Sequence, residues 1–308
     1  MIVLGRKEVS DLLDPEALIE GVATALVDLS AGRASVPARI AAFTPEGLLG
    51  AMVGYVPSLD VLAAKLVSVF PRNVSVPSHQ ALIAIFDPHS GTPIALLDGE
   101  EVTAQRTAAA SALATRLLAR ADAEVLAIVG TGVQARSHAR YLPRARKFRT
   151  VLVAGRDPGK AAALAAEIGG RAASIEEAVR AADVICATTH AREPAIRRDW
   201  LRPGAHLCSV GLHPQGRELD SVRDALVAVE SRGSAFAAPP AGAVELRDLH
   251  PAQAVELGEL VSGTRPGRTS AVQVTIYKSV GVAAEDAAAA ALVLSRARER
   301  GAARSLEL

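Results

Sequence analysis

Leu126-Ala127-Ile128-Val129-Gly130-Thr131-Gly132-Val133-Gln134-Ala135 runs an apolar strand into a Gly-x-Gly-x-x-Ala turn and on into a helix. The first glycine permits a tight turn, and the second lets backbone approach a pyrophosphate. The small Ala135 allows helix to pack closely on strand, and the helix N-terminus offers N–H groups to phosphates. A plain turn in an α/β sheet carries the same letters. The strand before, the helix after and a second strand at Val151 supply the context of a dinucleotide site.

Working outward, apolar strands alternate with helices. Strands are expected at Val125–Gly130, Thr150–Gly155, Val184–Thr188, His206–Gly211 and Ala225–Val229, with helices starting near Gln134, Pro158, Ser174 and Asp220. That alternation predicts an α/β fold with a doubly wound parallel sheet. Upstream, Asp14-Pro15-Glu16 opens a helix, with Asp14 as cap and Pro15 in the first turn. Short apolar runs follow at Leu62–Phe70, Ala81–Asp87 and Pro93–Leu97, and Asp87-Pro88-His89-Ser90-Gly91 is a hairpin turn between two of them. This region reads as a mostly antiparallel sheet with a packed helix. A long helix, with Thr103 as candidate cap, spans Thr103–Arg120, and a last helix at Glu285–Arg300 is expected to return to the first domain. The organisation so read is a smaller α+β domain over residues 1–116, a Rossmann domain over 117–281 and a returning helix over 282–308.

The second strand ends Val153-Ala154-Gly155-Arg156-Asp157-Pro158. An NAD site usually has an acid at this tip to bond the ribose hydroxyls. Arg156 instead favours a 2′-phosphate, so NADP is expected, with NAD the alternative. The bland reading of Arg156 is a surface side chain. Asp157 is placed to cap the helix that Pro158 begins.

Composition narrows the classes. The 34 basic and 33 acidic residues of 308 leave a net charge of +1, which gives no case for nucleic acid or a membrane surface as partner. No run approaches the roughly 18 apolar residues of a span, and Arg6, Lys7 and Glu8 stand where a signal peptide would be apolar, so a cytoplasmic protein is expected. Cys186 and Cys208 sit in apolar runs and read as buried free thiols, without the spacing of a metal site. Only 3% of residues are aromatic, so the cores must be built from Ala, Val and Leu.

Several segments resemble the ornithine cyclodeaminase/mu-crystallin family: Ala64-Lys65 to Asn73, Pro77-Ser-His-Gln80, Glu101 to Ser111 around Arg106-Thr107, Gly130 to Gln134, Val210-Gly with Arg217-Glu218-Leu219-Asp220, and Tyr277-Lys-Ser279-Val280-Gly281 with Asp286. They follow the family's order along most of the chain. The resemblance implies a homodimer of two-domain subunits joined through the substrate-domain sheets, with the active site in the cleft between domains. It implies that Arg39 and Arg106 bind a substrate carboxylate, that Lys65 lies beside the reacting carbon, and that Arg106 also reaches the cofactor. Thr107, Val133, Gln134 and Thr188 fall where the family touches the dinucleotide, and Ser279 and Val280 fall near substrate and nicotinamide.

The chemistry is sensible without the family. Two guanidinium groups can fork onto a planar carboxylate, and an ammonium beside a C=N can donate a proton while hydride arrives from the other face. Each residue has a plainer reading: Arg39 exposed, Arg106 capping or ion-pairing, Lys65 packing only its stem in the strand; a lysine is otherwise expensive in an apolar run, which points to function at Lys65. One departure bears on function. Cyclodeaminases and alanine dehydrogenases resemble one another in a Gly-x-Asp-x-Pro-Gly-Lys segment whose Asp serves as base. Here the segment is Gly211-Leu212-His213-Pro214-Gln215-Gly216-Arg217, with no acid. His213 is either a substitute acid/base or a loop histidine, and Glu218 and Asp220 read as structural. The expected activity is reduction of a small (cyclic) 2-imino acid by NAD(P)H. The alternatives are ornithine cyclodeamination, an amino-acid dehydrogenase, or a non-catalytic dinucleotide- and ligand-binding protein.

Overall fold

The computed structural model describes residues 1–308 except Leu212, Pro214, Pro239, Pro240, Ala302, Ala303 and 306–308; for Arg304 and Ser305 it describes backbone only. The chain divides into two compact units, Met1–Arg106 with Gly281–Leu308, and Thr107–Val280. No described helix is long and apolar enough to cross a membrane.

The first unit begins with β1 (Ile2–Leu4), α1 (Arg6–Leu12) and α2 (Pro15–Ser30). Asp14 caps α2, its carboxylate accepting the Ala17 N–H at 2.9 Å. Five strands follow: β2 (Ile40–Phe43), β3 (Leu48–Val56), β4 (Val61–Val69), β5 (His79–Phe86) and β6 (Pro93–Asp98). Strands β2 to β6 form an antiparallel meander, while β1 joins β6 in parallel. The β5–β6 hairpin turns as expected, with Asp87 accepting the Ser90 N–H at 2.7 Å and Gly91 at φ +73°.

Helix α3 (Gly99–Leu118) starts four residues before the expected Thr103. Thr103 is not its cap. The Asp98 carboxylate accepts the Glu101 N–H at 2.8 Å, and the Thr103 hydroxyl donates to the Gly99 carbonyl one turn back.

The second unit contains β7 (Val125–Val129), α4 (Val133–Tyr141), β8 (Thr150–Ala154), α5 (Pro158–Glu167), β9 (Arg171–Ala172), α6 (Ile175–Ala181), β10 (Val184–Ala187) and β11 (His206–Ser209). It continues through β12 (Ala225–Val229), α7 (Arg232–Ala235), β13 (Val255–Glu256), α8 (Leu257–Ser262) and β14 (Val274–Lys278). Eight described strands align in the order β13-β12-β14-β11-β10-β7-β8-β9, every pair parallel. This is the doubly wound sheet the alternation predicts. Two details differ from expectation. No helix begins at Asp220: its carboxylate accepts the Arg198 N–H at 2.7 Å, and Leu219 forms a lone parallel bridge with Ile196, so the segment is held extended. The central strand β14 lies in a stretch where no strand was anticipated. Cys186 and Cys208 are free, buried and adjacent across β10 and β11, and burial raises both thiols.

The chain then returns to the first unit through α9 (Ala283–Arg300) and β15 (Arg304–Ser305), which pairs with β1. A cluster of alanines lets α9 lie low on the sheet. A Cβ at Gly54 of β3 would stand 3.2 Å from the Ala283 methyl, and one at Gly21 of α2 would stand 3.9 Å from that of Ala288. Small residues set the approach, and the approach puts the acidic start of α9 over β3 and β4.

Candidate active site

Lys65 lies in the middle of β4, and the strand's alternation turns it to the face covered by α9. It is 3% exposed. A bare ammonium in such a place would be very costly, so a counter-charge is required. Asp286, in the first turn of α9, provides it: Lys65 Nζ stands 2.7 Å from one carboxylate oxygen and donates to the other at 2.8 Å. The Thr103 hydroxyl is a further 3.5 Å contact.

Arg106 on α3 joins the same cluster. Its Nε donates to Asp286 at 3.0 Å and its Nη1 to Glu285 at 2.6 Å, with all three side chains buried. Glu285 also accepts the Val282 N–H at 3.2 Å, which anchors the start of α9. Arg39, half-buried, donates from Nη2 to the Gly281 carbonyl at 2.8 Å. Gly281 has φ +70°, and a Cβ there would stand 2.7 Å from both terminal nitrogens of Arg106. One glycine thus spaces two arginines. The structure brings Arg39, Lys65 and Arg106 into one cluster.

The electrostatics follow from this packing. Burial pushes the Lys65 ammonium down, Asp286 pulls it back, and Arg106 and Arg39 lower it again, so that it titrates at about 8. Burial alone would raise Asp286, but the Lys65 and Arg106 cations outweigh it and hold the carboxyl below its usual value. His79 shares the Lys65 face, because Val69↔His79 and Lys65↔Ile83 are paired positions. Although part of its surface is open to solvent, desolvation first, and then Lys65 and Arg106, hold the ring down to about 4. Near neutral pH the proton donor of this cluster is the Lys65 ammonium, and the His79 ring beside it is neutral.

In the second unit, Gly130 and Gly132 follow β7. Gly130 has φ +131°, and a Cβ there would collide with Thr188, which begins the loop after β10 and donates its hydroxyl to the Val129 carbonyl at 3.1 Å. Around Gly132 the requirement is different. A Cβ there would meet nothing within 4 Å, and α4 begins with no side chain capping its N-terminal amides. Val133 is 68% exposed beside them, and the buried Gln134 Oε1 accepts no hydrogen bond among the described residues. Open space over glycine and helix-terminal amides without a side-chain cap among the described residues fit a dinucleotide pyrophosphate, and the orphaned Gln134 acceptor fits a hydroxyl beside it. Arg156 stands exposed just past β8, with no ion pair among the described residues, and Asp157 caps α5 by accepting the Lys160 N–H at 3.1 Å. Thr107, the next residue of α3 after Arg106, is buried.

Ser279 and Val280 follow β14 and are also buried. Of the Gly211–Arg217 segment, Leu212 and Pro214 lie outside the described residues. His213 accepts the Gln215 N–H at 3.1 Å, and its ring centroid is 4.8 Å from that of His190. Glu218 is structural in the literal sense. Its carboxylate accepts from Thr189 N at 2.6 Å, Thr189 Oγ1 at 2.7 Å, Ser209 Oγ at 2.8 Å and Gly211 N at 2.8 Å.

Sequence reasoning assigned no role to Glu285, Asp286 or Glu230. Each carries the signal that singled out Lys65, a charge in an apolar run: Glu285-Asp286 sits amid alanines, and Glu230 follows the last residue of β12.

The profile of the ornithine cyclodeaminase/mu-crystallin family matches residues 1–301. Ketimine reductase mu-crystallin of Mus musculus is 38% identical over 304 residues, covering 94% of this chain and 95% of its own. Among solved structures, Thermococcus litoralis Delta(1)-pyrroline-2-carboxylate reductase in complex with NADH and L-proline superposes with a TM-score of 0.92 at 32% identity, covering 99% of this chain and 100% of that one. An archaeal alanine dehydrogenase dimer with bound NAD superposes with a TM-score of 0.93 at 26% identity, covering 100% and 99%.

Proposed function

The chain belongs to the ornithine cyclodeaminase/mu-crystallin family, and from that premise we propose that it is an NAD(P)H-dependent reductase of small, cyclic 2-imino acids. The observation that carries this reading is the buried Lys65–Asp286–Arg106 cluster, joined by Arg39. Arg39 and Arg106 would clamp the carboxylate of the imino acid. Lys65, oriented by Asp286, would hold the imine nitrogen protonated, which makes the adjacent carbon electrophilic. The bound dinucleotide supplies the hydride. The C=N bond becomes C–N, the nitrogen keeps the proton, and the amino acid leaves with the oxidised dinucleotide. Gly130, Gly132, Val133, Gln134, Thr107 and Thr188 would hold the dinucleotide.

Ornithine cyclodeamination is disfavoured because no carboxylate stands in the Gly211–Arg217 segment to deprotonate an amine. His213 has the chemistry for acid/base work, but its described contacts are with Gln215 and His190. Arg156 supports NADP over NAD, since an exposed guanidinium past β8, without an ion pair among the described residues, suits a 2′-phosphate and no acid stands at the tip to receive ribose hydroxyls.

A homodimer is supported by the sheet of the first unit. Ile40, Ala51, Leu66 and Leu82 align across β2, β3, β4 and β5 on the face opposite Lys65, with Leu49 and Val53 beside Ala51 on β3. Ile40, Leu49, Val53, Leu66 and Leu82 are 72, 49, 43, 39 and 41% exposed, an apolar patch that a second copy would cover.

The test is a spectrophotometric screen of Δ1-pyrroline-2-carboxylate and Δ1-piperideine-2-carboxylate with NADPH and NADH, and of ornithine with NAD. Imine-dependent oxidation of NADPH, without ammonia release from ornithine, is the expected result. Ammonia release with no imine reduction would overturn the reading, and dinucleotide binding with neither activity would leave a ligand-binding protein.

A further inference from the structure

Glu230 and Ser279 follow the last residues of neighbouring parallel strands, β12 and β14, whose Ala228 and Tyr277 are paired. This is the carboxyl edge of the sheet, the edge at which Gly130 and Gly132 also lie and at which doubly wound sheets bind their ligands. Glu230 is fully buried. Ser279 Oγ donates to its Oε1 at 2.6 Å, and the Val280 N–H is shared between the two carboxylate oxygens at 3.1 and 3.2 Å.

A serine hydroxyl has one proton and two lone pairs, and an ionised carboxylate can only accept. The proton of Ser279 is therefore committed to Glu230 in a short, charge-assisted bond. Toward anything else, Ser279 has acceptance alone to offer. A carboxylate, itself an acceptor, would be repelled there, whereas an N–H would be received.

We infer that Glu230 is a positioning residue that fixes the polarity of Ser279, making Ser279 the acceptor for an N–H group of the bound ligand. This rests on the place beside substrate and nicotinamide that the family resemblance implies for Ser279. Two N–H sources exist, the carboxamide NH2 of the nicotinamide and the ring nitrogen of the imino or amino acid. The recognised chemistry is common to both.

Equilibrium binding tests this without turnover, so it can fail or hold independently of the reductase assignment. The probes come in pairs that differ by the N–H: reduced NADP against its reduced 3-acetylpyridine analogue, and L-proline against tetrahydrofuran-2-carboxylate on the dinucleotide complex. Ser279→Ala should weaken one N–H-bearing probe by roughly tenfold and leave its N–H-free counterpart unchanged, the scale of one lost hydrogen bond. Loss confined to the dinucleotide pair assigns the carboxamide, and loss confined to the proline pair assigns the ring nitrogen.

Glu230→Gln should invert the preference. Its amide can donate to Ser279, freeing the hydroxyl proton to point at the ligand, so the N–H-free member of the affected pair should now bind at least as well as the other. A merely structural Glu230 would weaken both members equally and lower the melting temperature. That outcome, or equal loss of both members in Ser279→Ala, or no loss in either pair, overturns the inference.

Discussion

Replacing Asp286 with Asn keeps the shape of the side chain and removes one charge from the Lys65 cluster. In the native protein that carboxylate lies 2.7 Å from Lys65 Nζ and 3.0 Å from Arg106 Nε, and it holds the buried ammonium at about 8 against desolvation. Breaking a buried pair is worth about 3–5 kcal/mol. Arg106 shares Asp286, so we assign about half of that, roughly 2 kcal/mol, to Lys65, which at 1.36 kcal/mol per unit lowers its pKa by about 1.5 units. The sign follows directly. A proton donor works while it is charged, so native imine reduction should be high below about pH 8 and fall as pH rises through it. In Asp286→Asn the fall should begin about 1.5 units lower, giving a deficit of roughly fifteenfold at pH 8 that shrinks toward nothing in mild acid. The assay is the pH dependence of NADPH oxidation with a cyclic imine, with circular dichroism and dinucleotide binding as controls. Lys65→Met serves as comparator: it should lose about a hundredfold at every pH and retain no Lys-dependent limb. An Asp286→Asn protein that folds and binds dinucleotide but keeps the native alkaline limb would refute the assignment of Lys65 as proton donor.

Three further outcomes are expected. Arg156→Ala should weaken NADPH binding by roughly tenfold or more, the value of a charge-assisted contact, and leave NADH nearly unchanged; equal loss for both in a fluorescence titration would remove Arg156 from cofactor choice. Leu66→Glu places a charge in the exposed apolar face of the first unit's sheet and should convert a dimer to monomer in light scattering, whereas an unaltered mass would show that the face lies outside the interface. Gly281→Ala imposes about 1–2 kcal/mol of left-handed backbone strain and sets a methyl against the Arg106 guanidinium. A lowered melting temperature and a raised KM for the imino acid should appear together; a wild-type KM would mean that Gly281 does not space the arginines.

The local features were legible in the sequence because their causes are local. The β7–Gly130-x-Gly132–α4 unit is set by one apolar run and two glycines, and the structure places both glycines where the turn and the helix terminus need them. The caps Asp14 and Asp157 follow from an acid before a proline. Lys65 stood out because a lysine inside an apolar strand is expensive unless a counter-charge answers it. What the sequence could not say was which acid answers it: Asp286 lies 221 positions away and reaches Lys65 only because alanines and Gly54 let α9 settle low on the sheet. Thr103 misled for a related reason. A capping residue type is recognisable, but Asp98 was better placed, and a threonine within a helix can bond back to the preceding turn. The Asp220 segment stayed extended because Arg198 and Ile196, distant in sequence, take its hydrogen bonds. Sequence alone determined the class of fold, the dinucleotide loop and the cost of burying Lys65, since periodicity, turn stereochemistry and desolvation act within a few residues. Tertiary structure alone decided the partners of Lys65, Arg106 and Ser279, because charge pairing depends on distance in space, and that distance is set by how closely helices and sheets can pack.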